Sequence, residues 1–319
     1  MIKTHVLIVG GGPAGAACAW QLRRHEIPCL VLDRSIFPRV KPCAGWITPE
    51  VFQYLELTPD AYPHSLTNFT SFNISLWGFK FRLPTHQYAI RRVEFDAWLL
   101  NRSGAEVIQH QVQQVRQIQG AYQVDKRFSA RFIVGAGGTH CPVRRALFVQ
   151  DRQEQQGQLI VTKEEAFPYP YRDKRCRLWF FENGLPGYAW YVPKADGYLN
   201  IGIGGRARGL KDRGQTLSQR WSRLIERLDQ EGLVTGHTFN PQGYSYYLRG
   251  KSTPTQQGNA LLVGDALGLA TRDMGEGIGP AIYSGILAAD SIIHNQPYQV
   301  LAIPRYSFPS LVRLQKKAR

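Results

Sequence analysis

Residues 5–16 read His5-Val6-Leu7-Ile8-Val9-Gly10-Gly11-Gly12-Pro13-Ala14-Gly15-Ala16, and residues 28–33 read Pro28-Cys29-Leu30-Val31-Leu32-Asp33. The first apolar run predicts a buried strand, the glycines predict a GxGxxG turn, and residues 16–24 have helical composition. The second apolar run predicts another strand, which ends at a carboxylate. This order predicts an α/β fold built on a Rossmann-like domain that binds a dinucleotide.

Each part of the glycine turn has a physical role in holding a dinucleotide. Gly10 permits the tight turn, Gly12 lets the backbone approach a pyrophosphate, and Gly15 lets the helix pack close to the strand. The start of the helix, at Pro13 and Ala14, offers free N–H groups and a partial positive charge to the phosphates. We therefore expect all five residues to belong to the cofactor site.

The second strand supplies the acidic partner of the turn. Asp33 can accept two hydrogen bonds from the diol of an adenosine ribose, and Arg34 follows it at the same strand end. This unit by itself is compatible with NAD and with FAD. The choice between the two cofactors needs a second motif.

A second glycine turn, far along the chain, decides for FAD. Residues 258–266 form an apolar strand pattern that ends in Gly264 and Asp265, where the carboxylate can bind a ligand hydroxyl. The turn holds Gly275, Gly277 and Ile278, and a helix-like run over 280–293 follows it. Its N–H donors and helix dipole suit an anion, such as the N1–C2=O2 edge of a reduced flavin. Because FAD is long enough to need two such sites, the sequence predicts one non-covalently held FAD.

With these motifs the chain resembles the p-hydroxybenzoate-hydroxylase-like superfamily of FAD proteins. The segment Arg92-Val93-Glu94-Phe95-Asp96-Ala97-Trp98-Leu99 is similar to R-x-x-F-D-x-x-L, whose arginine lies near the flavin phosphates and ribityl chain. The run Gly135-Ala136-Gly137-Gly138 is similar to a strand end that reads G-A-D-G in this superfamily. Gly137 stands in the place of an aspartate tied to FAD and pyridine-nucleotide binding. The resemblance therefore implies poor direct reduction by NADPH.

Three further segments resemble the geranylgeranyl reductases within that superfamily. Residues 37–45, Phe-Pro-Arg-Val-Lys-Pro-Cys-Ala-Gly, are similar to F-P-R-x-K-x-C-G-G, which implies that Lys41, Cys43 and Ala44 lie near the flavin. Residues 186–193 are similar to P-x-x-Y-x-W-x-F-P, which lines the lipid pocket of the reductases, and residues 275–278 match G-E-G-I. The G-E-S element and the catalytic lysine of flavin halogenases have no counterpart here. The chain is shorter than typical reductases, which predicts a shortened or open polyprenyl tunnel.

The candidate catalytic residues are Cys43, Tyr188 and Trp190. In a strand, Tyr188 and Trp190 would share one face and Tyr191 would lie on the other. The aromatic faces can stabilise a cation-like transition state, or they can be ordinary core aromatics of a sheet. The Cys43 thiol can donate a proton or tune the flavin, or it can be a small buried apolar group.

Three functions remain open from the residues. The first is an FAD-dependent oxidoreductase that reduces or oxidises an apolar substrate, isoprenoids included, by hydride transfer at flavin N5. The second is an FAD-dependent aromatic monooxygenase or halogenase. The third is an electron-transfer flavoprotein that serves a protein partner.

Charge and composition limit which partners and which cellular compartment the sequence predicts. The net charge of +15 suits an acidic electron-donor protein or a peripheral membrane contact, and part of it comes from a basic cluster at Arg313, Lys316, Lys317 and Arg319. No nucleic-acid module and no apolar run of bilayer-spanning length is present in the sequence. The five scattered cysteines lack a CxxC pair, which argues against a metal site and for a reducing compartment. Together with the lack of a signal-peptide pattern, this predicts a cytoplasmic protein that associates loosely with membranes.

The motifs predict a discontinuous FAD-binding domain over 1–65, 88–150 and 253–319. Residues 66–87 and 151–252 would then form a substrate domain, an antiparallel sheet over the flavin. Residues 176–181 and 198–203 are strand-like, and residues 215–230 carry an apolar stripe at helical spacing. The glycine run 202–205 follows a strand but lacks a helix and an acid, so it does not predict an NAD site.

Overall fold

The computed structural model describes residues 1–148, 158–250 and 254–311. The basic cluster at Arg313, Lys316, Lys317 and Arg319 lies outside the described residues. The strands are β1 (Ile2–Val9), β2 (Cys29–Asp33), β3 (Trp46–Ile47), β4 (Thr67–Leu76), β5 (Phe79–Ala89), β6 (Glu106–Gln109), β7 (Val115–Ile118), β8 (Ala121–Val124), β9 (Phe128–Gly135), β10 (Leu159–Pro168), β11 (Cys176–Phe180), β12 (Gly187–Lys194), β13 (Tyr198–Arg206), β14 (Gln242–Tyr247), β15 (Gln256–Gln257) and β16 (Ala260–Leu262). The helices are α1 (Pro13–Arg24), α2 (Glu50–Tyr54), α3 (Arg92–Arg102), α4 (Pro142–Leu147), α5 (Ala207–Asp212), α6 (Leu217–Gln230), α7 (Ile278–His294) and α8 (Phe308–Leu311).

The first sheet has the strand order β15-β16-β9-β1-β2-β6, with parallel pairing from β16 through β6. The pair β7–β8 extends it in antiparallel fashion beside β9. Val9 is in register with Leu32 and with Gly135, and Gly135 is in register with Leu262. The carboxyl ends of these strands therefore share one edge, which is where open α/β sheets bind their ligands. The predicted Rossmann-like α/β fold is confirmed.

Helices α1 and α7 pack closely together against this sheet because small residues line their contact. A Cβ on Gly285 would lie 2.1 Å from the backbone oxygen of Ala14, and one on Gly15 would lie 1.9 Å from the oxygen of Gly10. These approaches bring the start of α1 and the loop before α7 to the same sheet edge. The strand β1 beneath them is fully buried at Val6, Leu7 and Ile8. The five cysteines of the chain are free.

The second sheet has the order β14-β10-β13-β12-β11-β4-β5-β3. Its pairs are antiparallel except β11–β4, which is parallel. The predicted strands over 176–181 and 198–203 are β11 and β13. The sheet also takes in β3 (residues 46–47) and all of β5 (residues 79–89). The division of the chain into domains at 65/66, 87/88, 150/151 and 252/253 stays a prediction.

The predicted amphipathic helix is α6, and it covers one face of the second sheet. Thr216 begins it with a capping box, since its side chain accepts from the N–H of Gln219, whose own side chain accepts from the Thr216 N–H. The stripe at Trp221, Leu224 and Leu228 is buried in a cluster that also contains the fully buried Tyr191. No described helix is long and apolar enough to cross a membrane.

The glycine run 202–205 has a packing role. Gly202 lies opposite Trp190 in the β12–β13 pair, and a Cβ on Gly202 would lie 2.1 Å from the indole. Glycine therefore lets the Trp190 indole lie flat across the neighbouring strand. This places Trp190 and Tyr188 on the face opposite Tyr191, as the strand alternation predicts.

Candidate functional site

A cavity of about 570 Å³ opens between the ligand-binding edge of the first sheet and one face of the second sheet. This volume lies within the usual range of small-molecule sites. Five loop regions line it at the first sheet: those after β1, β2, β6 and β9, and the turn after β16. The second sheet contributes residues of β10, β11, β12 and β14.

Most of the residues predicted from the sequence line this one cavity. They are Gly10, Gly12, Pro13, Ala14, Asp33, Arg34, Lys41, Cys43, Ala44, Arg92, Ala136, Gly137, Tyr188, Trp190, Asp265, Gly275, Gly277 and Ile278. The other three predicted glycines, Gly15, Gly135 and Gly264, pack behind the wall. A Cβ on Gly135 would lie 2.7 Å from the side chain of Leu262, and one on Gly264 would lie 2.9 Å from Cβ of Ala14.

The first glycine turn leaves an open cradle at the start of α1. Gly12 is the N-cap, so no side chain takes the first N–H groups of the helix at that position. Among the described residues, a Cβ on Gly12 would meet one side-chain atom within 4 Å, Arg39 Nη2 at 3.5 Å. Asp33 closes the turn, because its carboxylate accepts from the N–H of Gly11 at 2.7 Å and from that of Ser35 at 2.8 Å. Each oxygen keeps capacity for a further donor, as a ribose diol would need.

Lys41 places a buried cation in the wall of the cavity. Its Nζ lies 2.8 Å from the ring centroid of Tyr244, and it has no hydrogen-bond partner among the described residues. Burial lowers the pKa of Lys41 to about 8, although Asp265 opposes that shift. A buried ammonium group that makes no hydrogen bond is costly, so this part of the cavity suits an anionic group of a ligand.

Arg92 is held by a carboxylate and lies beside Lys41 in the cavity wall. Its guanidinium donates to both oxygens of Asp96, at 2.7 and 2.8 Å, and Arg39 adds a 3.4 Å contact to the same carboxylate. Burial acts to lower the pKa of Arg92, but the attraction and hydrogen bonds of Asp96 and Cys43 together outweigh it and raise that pKa. Sequence reasoning missed Arg39 as a wall residue, although it stands inside the matched 37–45 segment.

The second glycine turn meets the second sheet through two tyrosines. The Tyr188 hydroxyl donates to the backbone oxygen of Met274 at 2.6 Å, and the Tyr244 hydroxyl donates to Asp265 at 3.1 Å. Gly277 is the N-cap of α7, and the Gly279 N–H donates to Glu276 at 2.7 Å. Burial raises the pKa of Glu276 to about 7. The start of α7 thus opens on the cavity with its own carboxyl group beside it.

The second sheet supplies an apolar wall and a buried polar chain that sequence reasoning missed. Trp190 Nε1 donates to Asn200 at 2.6 Å, and Asn200 donates to Glu164 at 3.3 Å. Glu164 lines the cavity and is only 4% exposed. Burial raises its pKa to about 7, against the opposing attraction of Lys194. Burial also lowers the pKa of Lys194, to about 8.

Cys43 lies where the two sheets meet. Its Sγ accepts from the N–H of Gly45 at 3.3 Å, and its backbone oxygen lies 3.5 Å from Nζ of Lys194. The thiol is therefore half-buried in the cavity wall rather than sealed in the core. Both predicted roles, as a proton donor and as a small packing group, stay open.

These observations fit FAD. The open cradle at Gly12 and the orphaned Nζ of Lys41 suit a pyrophosphate, and Asp33 and Asp265 stand at separate strand ends where sugar and ribityl hydroxyls need acceptors. Both glycine turns line this one cavity, as a dinucleotide with a group for each turn would need.

Comparison with known proteins agrees with this geometry. The family described as an NAD(P)-binding Rossmann-like domain matches residues 8–39. Digeranylgeranylglycerophospholipid reductase 1 of Methanopyrus kandleri is 26% identical, over 89% of this chain and 79% of the relative. Menaquinone reductase of Mycobacterium tuberculosis is 26% identical, over 89% of this chain and 75% of the relative.

Solved structures share the whole fold. A geranylgeranyl bacteriochlorophyll reductase-like protein of Thermoplasma acidophilum has a TM-score of 0.79 at 20% identity, over 94% of this chain and 82% of the other. The flavin-dependent brominase Bmp2 has a TM-score of 0.74 at 17% identity, over 93% and 81%. The protein is an FAD-dependent oxidoreductase. Its resemblance to the geranylgeranyl reductase branch of the p-hydroxybenzoate-hydroxylase-like superfamily is confirmed.

Asp265→Ala is expected to weaken FAD binding by about 1.5–3 kcal/mol, the range for a hydrogen bond to a charged group. The physical reason is that alanine cannot accept the hydrogen bond that we expect the Asp265 carboxylate to accept from a ribityl hydroxyl. Equilibrium titration of the apoprotein with FAD measures the change. Asp290→Ala is the control, because Asp290 lies further along α7 and bonds to Gln21 instead. Loss of folding with unchanged FAD affinity per folded molecule would reduce Asp265 to a turn residue.

Proposed function

We propose that this protein reduces carbon–carbon double bonds of an apolar isoprenoid substrate, or runs the reverse oxidation. One observation carries the proposal: an apolar and aromatic wall faces the same cavity as both glycine turns. The wall consists of Trp46, Leu178, Tyr188, Trp190 and Val192. The relatives named above act, by their names, on a digeranylgeranylglycerophospholipid and on a menaquinone, which both carry isoprenoid chains.

We propose that the predicted residues divide the cofactor between the two turns. Gly12 and the start of α1 would hold the pyrophosphate with Lys41 and Arg92 nearby, and Asp33 would hold the adenosine ribose. Asp265 would hold the ribityl chain, and the turn before α7 would face the flavin ring. FAD, when bound, supplies a centre that gives and takes hydride.

The aromatic wall would bind the substrate and exclude water. Trp190 is fixed on both sides, by its bond to Asn200 and by the flat surface at Gly202, so its ring face is held in one orientation. Tyr188 is fixed by its bond to Met274. Rigid aromatic faces attract a developing positive charge through their quadrupole. This is the stabilisation that an unactivated double bond needs, because no carbonyl group shares its charge.

Glu164 would supply the proton that the reduced product needs. A carboxyl group with a pKa of about 7 is protonated in a large fraction of molecules at neutral pH. Asn200 binds one of its oxygens and orients the group in the cavity wall. The proton would therefore leave from a carboxyl oxygen of Glu164 towards the bound substrate.

Anaerobic turnover tests this proposal. The FAD-loaded protein, reduced with dithionite, is mixed with geranylgeranyl diphosphate or menaquinone, and mass spectrometry follows the gain of hydrogen. The expected product carries one added H₂ per reduced double bond, and flavin absorbance returns at the same rate. If only oxygen reoxidises the flavin, and an aromatic acceptor becomes hydroxylated or halogenated, the proposal is wrong. The monooxygenase or halogenase function would then replace it.

The electron donor gives a separate prediction: NADH and NADPH should bleach the flavin slowly or not at all. Gly137 offers no carboxylate. A Cβ on Gly137 would lie 3.1 Å from the Pro142 side chain and 3.2 Å from the Cys141 backbone. A reduced acidic carrier such as a ferredoxin should bleach it fast, because the +15 charge attracts it. That rate should fall as salt screens the attraction over about 8–10 Å. Anaerobic stopped-flow mixing measures both rates, and NADPH bleaching at many turnovers per second would contradict the prediction.

A further inference from the structure

The tip of the β4–β5 hairpin exposes a group of aromatic side chains. Trp77, Phe79, Phe81 and Phe181 are 67%, 79%, 47% and 40% exposed, and we call these four residues the aromatic tip. The rings of Trp77 and Phe181 stack with centroids 5.3 Å apart. Single exposed apolar residues are common on soluble proteins, but four exposed aromatic side chains on one hairpin and the strand end beside it mark an interaction surface.

The hairpin turn places a tryptophan, Trp77, at a positive φ, which is unusual for so large a side chain. Trp77 and Gly78 join the strands with φ of 50° and 92°, a conformation that ordinarily selects Asn-Gly. A bulky residue at positive φ costs local strain. The turn thus projects an indole into solvent at a position where a small polar residue would be more stable.

The acids that lie by the hairpin, Glu182 and Glu231, are each paired with Arg227, and the charges on the hairpin itself are basic. Between Asp60 and Glu94 the sequence contains no acidic residue. Lys80 and Arg82 alternate with Phe79 and Phe81 along β5 and are exposed. Basic side chains beside exposed aromatic rings suit the interface of a bilayer with anionic headgroups, where tryptophan is favoured.

The aromatic tip also continues the apolar wall of the cavity. In the second sheet Trp190 is in register with Leu178, Leu178 with Ile74, and Ile74 with Phe81. One row closer to the tip, Tyr188 is in register with Phe180, Phe180 with Leu76, and Leu76 with Phe79. Residues in register point to the same face of a sheet, so apolar side chains extend from the cavity wall to the aromatic tip.

We propose that the aromatic tip inserts into the headgroup region of a bilayer that contains anionic lipids, with Lys80 and Arg82 against the headgroups. The sheet face then leads an apolar chain from the bilayer towards the cavity. This second part rests on the proposed function, whereas the docking surface stands on the exposed side chains and their charge. The occupant is a lipid surface because the apolar group is small, protruding and flanked by cations.

Vesicle co-sedimentation of the full, FAD-loaded chain tests the docking surface. Wild-type protein should bind vesicles of equimolar phosphatidylcholine and phosphatidylglycerol and bind phosphatidylcholine vesicles less. The double variant Trp77→Asn, Phe79→Ser should bind the vesicles at least about tenfold more weakly than the wild type, because it loses most of the inserted apolar area. Asparagine suits the positive φ of residue 77, so the hairpin should still fold. Lys80→Glu, Arg82→Glu should lose the preference for phosphatidylglycerol.

Leu301→Asn is the matched control, because Leu301 is 84% exposed at another place and should bind vesicles like the wild type. Equal vesicle binding by the wild type and the tip variant would overturn the proposal. So would self-association that depends on Trp77 without any vesicle binding, which would make the surface an interface between copies of the chain. Vesicle binding by a protein that reduces no isoprenoid would keep the docking surface and overturn the proposed function. Reduction of detergent-dispersed isoprenoid without vesicle binding would keep the proposed function and overturn the docking surface.

Discussion

Gly12→Glu is expected to leave a folded protein that is colourless after purification and binds FAD about 1000-fold more weakly, if at all. The new carboxylate would stand at the N-cap of α1, where we propose that the pyrophosphate lies. Two like charges about 4 Å apart near a protein surface repel by about 4 kcal/mol, before any steric clash is counted. Flavin absorbance per mole of protein and titration of the apoprotein with FAD measure the loss.

Gly12 is the informative glycine because its substitution spares the fold. A Cβ on Gly10 would lie 2.3 Å from the oxygen of Ala136, so substitution there would disturb the backbone itself. The matched control is Gln117→Glu, which adds the same charge at an exposed strand residue and should keep its FAD. A stoichiometric FAD in folded Gly12→Glu would show that the first turn does not hold the phosphates.

Glu164→Gln should slow substrate reduction by about 10²–10⁴, the usual contribution of a positioned proton donor, while FAD content stays unchanged. The amide keeps an oxygen for the Asn200 donor but has no acidic proton to give. In the wild type the rate should fall as pH rises above about 7, because Glu164 loses its proton there. The variant should lack this alkaline decline. Single-turnover reoxidation of the reduced protein by substrate, across a pH series, measures both effects.

The neighbouring Glu165→Gln is the matched control. Glu165 lies on the opposite face of β10, where it pairs with His237 at 3.0 Å. Its substitution should leave the rate and its pH profile like those of the wild type. An equal loss of rate in both variants, or an alkaline decline that persists in Glu164→Gln, would assign the proton to another cavity group, with Glu276 and Cys43 the next candidates.

Stability gives a second readout for Glu164 that does not depend on substrate. The folded-state pKa of about 7 lies above the ordinary value of 4.5, so the folded protein holds a proton that the unfolded chain releases between these pH values. The free energy of unfolding therefore decreases as pH rises from about 4.5 to about 7. Glu164→Gln removes this penalty and should gain stability relative to the wild type above pH 7. Denaturant unfolding at pH 4.5 and pH 8 measures the difference.

The place of the first turn at the cavity could be predicted because its pattern is contiguous in sequence. A phosphate cradle needs Gly10, Gly12 and Gly15 at fixed spacing, followed by a helix, and the parallel strands carry Asp33 to the same edge. The same reasoning found Asp265 at the end of β16, since a strand end and a glycine turn are local patterns. The amphipathic helix α6 was predicted for a similar reason, because a stripe at helical spacing needs no knowledge of its partner.

The polar members of the second sheet could not be predicted, because their place depends on pairing between distant segments. Glu164 and Glu165 are adjacent and chemically alike, and only the register of β10 with β13 and β14 decides which one faces the cavity. Lys41 was expected near the cofactor by resemblance, but its orphaned position over Tyr244 depends on a contact across 203 residues of sequence. Gly202 has no local signature of its function, which is to make room for an indole on the neighbouring strand. The sequence by itself therefore determined the cofactor-binding fold, through short-range patterns. Only the tertiary structure decided which charges face the cavity, because strand register and sheet packing are set by contacts far apart in the chain.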